Sequence, residues 1–188
     1  MSPLHAAPAA GFDAPFELMG ACHERMARTL ALMARLGAHV AAHGCDGQAR
    51  DAAGDVLRYF TLAAPLHHED EERHVLPRLR ERGQGALADR LGAEHREMEA
   101  QWAAIAPTLE AIRDGRLRDD ELPGARERWD RFATLYRGHI EVEDHAAYPA
   151  ALEALTGPEL QAMGAEMAGR RKTPWPVTPR DEAAPPSR

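Results

Sequence analysis

The chain has 188 residues and a formal net charge of -7 at pH 7, which gives no electrostatic reason to expect binding to nucleic acid or to an anionic membrane. No apolar run approaches the ~20 residues that a membrane-spanning helix needs, and the N-terminus lacks the basic start and apolar segment of a secretory signal. Two cysteines are too few for a disulfide framework, so we expect a cytoplasmic protein.

The N-terminal half of the chain predicts an arm followed by two long helices. Residues 1–11 are rich in Ala and Pro and are predicted to form a flexible arm. Apolar residues then recur three or four positions apart over 15–43, which is typical of an amphipathic helix. After Gly44 and Gly47, the same spacing predicts a second helix over 48–80, with Ala63 on its inner face. Pro65 removes a backbone donor there and is predicted to kink the helix without ending it.

The second half of the chain predicts two more helices of similar length. One follows Gly85, contains Pro107 as a second predicted kink, and ends at Gly115. The other runs over 122–155, with Ala146 on its inner face. Four helices of about 30 residues with short connections favour antiparallel neighbours. The predicted fold class is therefore all-α, an up-down-up-down four-helix bundle.

The C-terminal part predicts a short accessory helix and a tail. Pro158, which is tolerated at a first helical position, begins a fifth helix over 156–170. The segment 171–188 is rich in proline and has no periodicity, so it is predicted to be disordered or extended. The expected organisation is an arm at 1–11, a bundle at 12–155, the accessory helix at 156–170 and the tail at 171–188.

A pattern of one histidine followed by His-x-x-x-Glu occurs twice, at a constant offset of 72 residues. Because residues four apart share one face of a helix, each paired His and Glu points in the same direction as the apolar stripe around it. Two antiparallel copies would bring four imidazoles and two carboxylates towards one axis. The repeated residues are His23 and His95, His67 and His139, Glu71 and Glu143, and Pro77 and Pro149.

This set of side chains predicts a metal centre inside the bundle. An unpaired polar group in an apolar interior costs roughly 2–7 kcal/mol, and an ionised carboxylate costs far more. Divalent cations neutralise such groups together, and imidazole and carboxylate donors suit iron, zinc or manganese. We expect two ions that share both carboxylates, with His95 and His139 on the same ion.

Other polar residues near these positions leave several alternatives open. His68 and Glu72 form a second pair four residues apart, interpreted as a solvated pair, with an additional metal ligand as the alternative. His74 and His145 are expected to be exposed, with a role next to the metal ligands as the alternative. Cys22 is interpreted as a small buried apolar residue, because a reactive thiol needs exposure and a lowered pKa.

The motifs around these histidines resemble those of the hemerythrin-like (HHE cation-binding) family. The resemblance covers roughly 12–155. It implies a four-helix bundle with a non-haem di-iron centre bridged by two carboxylates. In that family the centre binds dioxygen, and related members sense oxygen, nitric oxide or iron, or handle peroxide. The motifs are ACHERM around His23, HHEDEE before Leu76-Pro77, AEHREM around His95, and HIEVE before Tyr148-Pro149.

One position departs from the family pattern. Oxygen-carrying members have a fifth histidine one turn before the position of His95, and this chain has Leu91 there. The resemblance implies binding or sensing of dioxygen or nitric oxide, and an open position at Leu91 favours an alternative, an enzyme that reduces peroxide or nitric oxide. A third possibility is a storage or structural role for zinc or iron. Oligomeric state is not indicated.

Overall fold

The structure, a computed structural model, describes residues 11–118 and 120–172. In these residues every regular element is helical. The first helix, α1, spans Pro15–His43 as predicted, and Gly44 ends it with a φ of 70°, a conformation that glycine adopts without steric cost. Residues 1–10 of the predicted arm (1–11) and residues 173–188 of the predicted tail (171–188) lie outside the described residues, so the predicted domain limits stay predictions.

The second helix, α2, covers residues 47–81 in several consecutive parts. It comprises the α-helical segment Gly47–Arg58, a π-helical turn at Tyr59–Ala63, and the α-helical segments Ala64–His74 and Leu76–Glu81. Its first turn is capped by Asp46, whose carboxylate accepts a hydrogen bond from the N–H of Ala49 at 2.9 Å. The π turn directly precedes Pro65, whose missing N–H interrupts the regular ladder. It turns Ala64 inward in place of Ala63, which was predicted to face the core.

The third and fourth helices complete the bundle. The third, α3, spans Gly85–Arg113 and continues as α-helix through Pro107. The fourth, α4, covers residues 122–152 and comprises Leu122–Val142, a π-helical turn at Glu143–Ala147 and Tyr148–Leu152. This second π turn buries Ala147 and leaves Ala146 exposed, so the prediction of an inward Ala146 was wrong. One residue inserted into a helical turn rotates everything after it.

The four helices pack in a closed ring, with α1 against α2 and α4, and α3 against α2 and α4. Their connections are short, which makes sequence neighbours antiparallel. The all-α up-down-up-down bundle predicted from the sequence is therefore confirmed. Within the described residues, none of the helices is both long and apolar enough to cross a membrane.

The fifth helix, α5, spans Gly157–Arg170 and packs against α1 and α2. Glu159 caps its start by accepting a hydrogen bond from the N–H of Thr156 at 2.8 Å. Its end is held by Asp70 of α2, a fully buried carboxylate that accepts hydrogen bonds from Arg170 and Arg171. The sequence predicted the helix but not this attachment.

Two apolar clusters fill the bundle. One contains Met26, Phe60, Met98 and Phe132, and the other contains Met19, Leu79 and Leu91 together with residues of α5. On every bundle helix the inward polar residues lie between positions of the first cluster and positions of the second. The bundle therefore has a polar layer enclosed by apolar packing on both sides.

Candidate metal centre

Six polar side chains from the four bundle helices meet in the layer between the two apolar clusters. α1 and α3 supply one histidine each, and α2 and α4 supply one histidine and one glutamate each. None of the six is more than 3 % exposed. They are His23, His67, Glu71, His95, His139 and Glu143. The structure thus brings together all six residues that the repeat predicts to converge.

The first group of donor atoms belongs to His23, His67, Glu71 and Glu143. The Nε2 atom of His67 lies 3.1 Å from Oε1 of Glu71, and the Nε2 atom of His23 lies 3.2 Å from Oε2 of Glu143. One donor atom from each residue lies within 4.8 Å of the other three. Donor atoms about 2.1 Å from one ion are about 3.0 to 3.4 Å apart, so this group has the dimensions of a site for one cation.

The second group belongs to His95, His139, Glu71 and Glu143. The Nε2 atom of His139 lies 2.9 Å from Oε1 of Glu143, and the Nε2 atom of His95 lies 3.4 Å from Oε2 of Glu71. The two Nε2 atoms are 3.1 Å apart. Two imidazole lone pairs that face each other this closely need a proton or a metal ion between them.

Both carboxylates belong to both groups. Oε1 of Glu71 faces His67, and Oε2 of the same carboxylate faces His95. Oε2 of Glu143 faces His23, and Oε1 faces His139. Each carboxylate therefore offers one oxygen to each group, which is the arrangement that bridges two cations.

Several of these buried atoms have no hydrogen-bond partner among the residues that the structure describes. They are Oε2 of Glu71, both carboxylate oxygens of Glu143 and both ring nitrogens of His67. Buried polar atoms are almost always paired in native proteins, and an unpaired buried charge is especially costly. Nitrogen and carboxylate oxygen atoms left unpaired around one point fit a metal ion well.

Comparison with known proteins identifies the family. The model of the hemerythrin HHE cation-binding domain matches residues 14–151. The chain belongs to the hemerythrin HHE cation-binding family. It is also similar to an uncharacterized protein of Haemophilus influenzae, with 28% identity over 166 residues, which cover 87% of this chain and 93% of the relative.

Three of the four histidines in the hemerythrin site are oriented by a second carboxylate on a neighbouring helix. Their Nδ1–H groups donate to these carboxylates, which directs each Nε2 into the centre. This role was not predicted from the sequence, where Glu72 was paired with His68, although each of the three carboxylates is adjacent to one of the six inward residues. The pairs are His23 with Asp144 at 2.8 Å, His95 with Glu72 at 3.1 Å and His139 with Glu94 at 2.7 Å.

The fourth histidine, His67, is next to a thiol. Cys22 holds the position that corresponds to Glu94 in the 72-residue repeat, since it directly precedes His23 as Glu94 precedes His95. Burial alone would raise the pKa of Cys22, but the adjacent His67 side chain and the charge of that imidazole lower it. Cys22 is half-buried. Because it lies beside His67, it belongs to the surroundings of the centre, whereas the sequence predicted only a small buried apolar residue.

Without a cation, protons on the histidines compensate the negative charge of the two carboxylates in the centre. Burial alone lowers the pKa values of His23 and His95, but the adjacent carboxylates of Glu143 and Glu71 raise both to about 10. Burial alone also lowers the pKa of His67, yet the charge of Glu71 raises it to about 9. Burial and the charge of Glu71 raise the pKa of Glu143, but the surrounding imidazoles lower it to about 2.

His68 does not form the solvated pair that was predicted. Its ring is buried and stacks on His95, with the ring centres 4.3 Å apart and the planes 7° from parallel. Its Nε2 accepts a hydrogen bond from the hydroxyl of Tyr136 at 3.4 Å. Burial and the charge of His95 lower the pKa of His68 to about 3. The π turn before Pro65 rotates α2, and this brings a second histidine inside.

Tyr148 is a further residue of the site that the sequence analysis did not single out. It is the first residue after the π turn of α4. Its buried hydroxyl donates a hydrogen bond to Oε1 of Glu71 and lies 3.0 Å from Nε2 of His23. The corresponding position in the first half of the repeat is Leu76, so this hydroxyl has no equivalent there.

The position of the missing fifth histidine is apolar in the structure. Leu91 is fully buried in the cluster that contains Leu79. Neither of the proposed substitutes is among the donors of the second group, because His68 stacks on His95 and Glu72 accepts a hydrogen bond from the Nδ1 of the same ring. The second group therefore has two imidazoles and two shared carboxylates among the described residues.

Two other histidines lie away from the centre. His145 is exposed, as predicted, and its Nδ1 donates to the carbonyl of Glu141. His74 was predicted to be exposed, but α5 covers it, and Arg170 lies 3.2 Å from its Nε2. Burial lowers the pKa of His74.

Proposed function

We propose that this hemerythrin-domain protein holds two iron ions and binds or senses dioxygen or nitric oxide. The observation that carries the proposal is the sharing of Glu71 and Glu143 between two separate pairs of imidazoles. In this proposal His23 and His67 bind one ion, His95 and His139 bind the other, and both carboxylates bridge the pair. The centre lies in a protein that we expect in the cytoplasm, without nucleic acid as a partner.

The donor set favours iron. Four neutral nitrogens and two carboxylates suit iron(II), and they also accept zinc or manganese. Iron supplies the electrons that dioxygen or nitric oxide needs in order to bind as an adduct, which zinc does not. Each group offers four protein donors, and iron commonly takes six, so positions remain for a small molecule.

The surrounding residues prepare the site for a small ligand. Apolar clusters on both sides exclude bulk water from the buried donors. The outer carboxylates Asp144, Glu72 and Glu94 hold three rings in place. The Tyr148 hydroxyl is a neutral donor 3.0 Å from Nε2 of His23, and it can donate a hydrogen bond to a molecule that displaces its contact with Glu71.

Reduction of peroxide or nitric oxide at the same centre is a second candidate. Leu91 favours it, because the second ion would lack the imidazole that closes its ligand set in oxygen carriers of the family. Tyr148 favours it too, since a buried hydroxyl can pass a proton to a reduced ligand. Storage of iron, or a structural role for zinc, is the third reading and would need no open position.

The test is anaerobic loading with ferrous iron, followed by dioxygen or nitric oxide, with metal content and the visible spectrum recorded together. We expect two iron ions per chain and a new absorption band that disappears when the gas is removed. Continuous consumption of peroxide or nitric oxide over many turnovers would identify the enzyme instead. Two tightly held zinc ions and no response to either gas would identify the structural role.

A further inference from the structure

A small cavity lies beside the metal centre, between α2, α3 and α4. Its volume is about 90 Å³. A single water molecule needs a cavity volume of roughly 10–15 Å³, so this cavity has room for a molecule of a few heavy atoms. The residues around its inner part are apolar and buried, namely Phe60, Ala64, Met98 and Phe132.

The cavity runs from the protein surface towards the second group of donors. Pro65 and Glu99 are exposed and form its outer rim, and Trp102 is half-buried beside them. His68 and Tyr136 form its inner wall. Because the ring of His68 stacks directly on His95 at 4.3 Å, only one imidazole separates the cavity from a histidine of the centre.

The lining indicates what the cavity accepts. His68 and Tyr136 hydrogen-bond to each other, so the inner wall offers no free ionic group to a charged ligand. The carboxylate of Glu99 at the rim repels anions. A larger closed cavity with an apolar lining binds benzene or xenon, and the apolar lining of this smaller, open pocket likewise favours uncharged molecules.

We propose that this cavity is a docking site through which a small uncharged molecule reaches the His95 and His139 half of the centre, with the His68 ring as the inner barrier. The proposal rests on the proposed function for the identity of the ligand, which is then dioxygen or nitric oxide. It adds the route, the entry face and the half of the centre that receives the molecule. It also gives the buried, non-coordinating His68 a role.

Xenon tests the cavity without using iron chemistry. The full-length protein loaded with zinc is titrated with xenon, and binding is followed by the xenon NMR chemical shift. We expect saturable binding to the wild type, loss of binding in Ala64→Leu, which fills the cavity, and unchanged binding in the control Ala103→Leu, which makes the same substitution at an exposed position of α3. Unsaturable uptake by the wild type, or equal binding by the two variants, would overturn the proposal.

Stopped-flow kinetics of the iron-loaded protein test the route. We expect the association rate constant for nitric oxide to fall about tenfold in Ala64→Leu, to rise in His68→Ala, and to stay at the wild-type value in Ala103→Leu. Circular dichroism and metal content confirm that each variant is folded and loaded. Lost xenon binding with an unchanged association rate would reject this route. If iron-loaded wild type bound neither gas, the proposed function would fail, whereas the xenon result would still decide whether the cavity is a docking site.

Discussion

At the scale of single residues, the centre depends on how each imidazole is oriented. The carboxylate partners of His95 and His23 are Glu72 and Asp144, which are themselves 72 residues apart. The partner of His139 is Glu94, and its counterpart beside His67 is Cys22. The internal repeat therefore extends to the residues that hold the rings: the contact of His95 with Glu72 is equivalent to that of His23 with Asp144. Which residues make these contacts becomes apparent only from the packing of the helices.

Removing one imidazole from the second group should remove one ion. We expect His95→Ala and His139→Ala each to lower the tightly bound metal from two ions per chain to one, because each leaves the other group intact. Metal analysis after dialysis measures this. The matched control is His145→Ala, which removes an exposed histidine and should leave two ions. Retention of both ions in His95→Ala would remove this residue from the set of proposed ligands.

Cys22 offers a test of the orienting residues. We expect Cys22→Ala to weaken metal binding by the His23 and His67 half about tenfold, as is typical when the partner of a ligating histidine is lost. Competition with a zinc chelator measures the affinity of each half. The control is Cys45→Ala, which changes a half-buried cysteine in the connection between α1 and α2. Equal affinities in the two variants would show that Cys22 does not orient His67.

At the scale of the elements, the two π turns decide which residues face inward. The 3–4 spacing predicted the four helices and all six inward polar residues. It could not predict a π turn, because the extra residue has little signal of its own beyond the proline that follows. As a result His68 was assigned to the surface and Ala63 and Ala146 to the core. Ala63 and Ala146 lie within the π turns, and His68 lies in the helical segment that follows the first of them.

The attachment of α5 is another feature of the elements that spacing could not reveal. Asp70 is fully buried, and its partners Arg170 and Arg171 are 100 or more residues away in the chain. Helical periodicity contains no information about pairs that distant. Because Asp70 directly precedes Glu71, this contact also fixes α2 next to a carboxylate of the centre.

Loss of this buried carboxylate should destabilise the protein. We expect Asp70→Ala to lower the free energy of unfolding by about 2–4 kcal/mol, because two partly buried guanidinium groups lose their partner. Urea denaturation of the zinc-loaded protein measures the change. Glu69→Ala is the control, since Glu69 forms only an exposed ion pair with Arg73, and such changes are usually within about 0.5 kcal/mol. Similar midpoints for both variants would contradict a structural role for Asp70.

At the scale of the whole molecule, charge at the centre links pH, metal and stability. The pKa values of His23 and His95 are raised to about 10 and that of His67 to about 9, from a usual value of 6.5. A histidine whose pKa is raised by folding contributes its full stabilisation at pH values below its pKa in the unfolded chain. That contribution is lost as the pH rises through its pKa in the folded protein. The pKa of Glu143 is lowered to about 2 from 4.5, so its contribution is lost only as pH falls towards 2.

The metal-free protein should therefore lose stability between about pH 6.5 and 10. We expect its melting temperature to fall over this range, and that of the zinc-loaded protein to fall less, because the cation replaces the protons that are lost. Differential scanning calorimetry of both forms measures this, and the stabilisation by zinc should grow with pH. A metal-free melting temperature that stays constant from pH 6.5 to 10 would contradict the assigned charges.

The division of donors between the two hairpins has a consequence for how the ions enter. In the proposed arrangement, the hairpin of α1 and α2 supplies both imidazoles of one ion, the hairpin of α3 and α4 supplies both imidazoles of the other, and each ion also takes a glutamate from the opposite hairpin. The first ion to bind would then link the two hairpins and position both glutamates for the second ion. Loading should therefore be cooperative, with singly occupied chains scarce at half saturation.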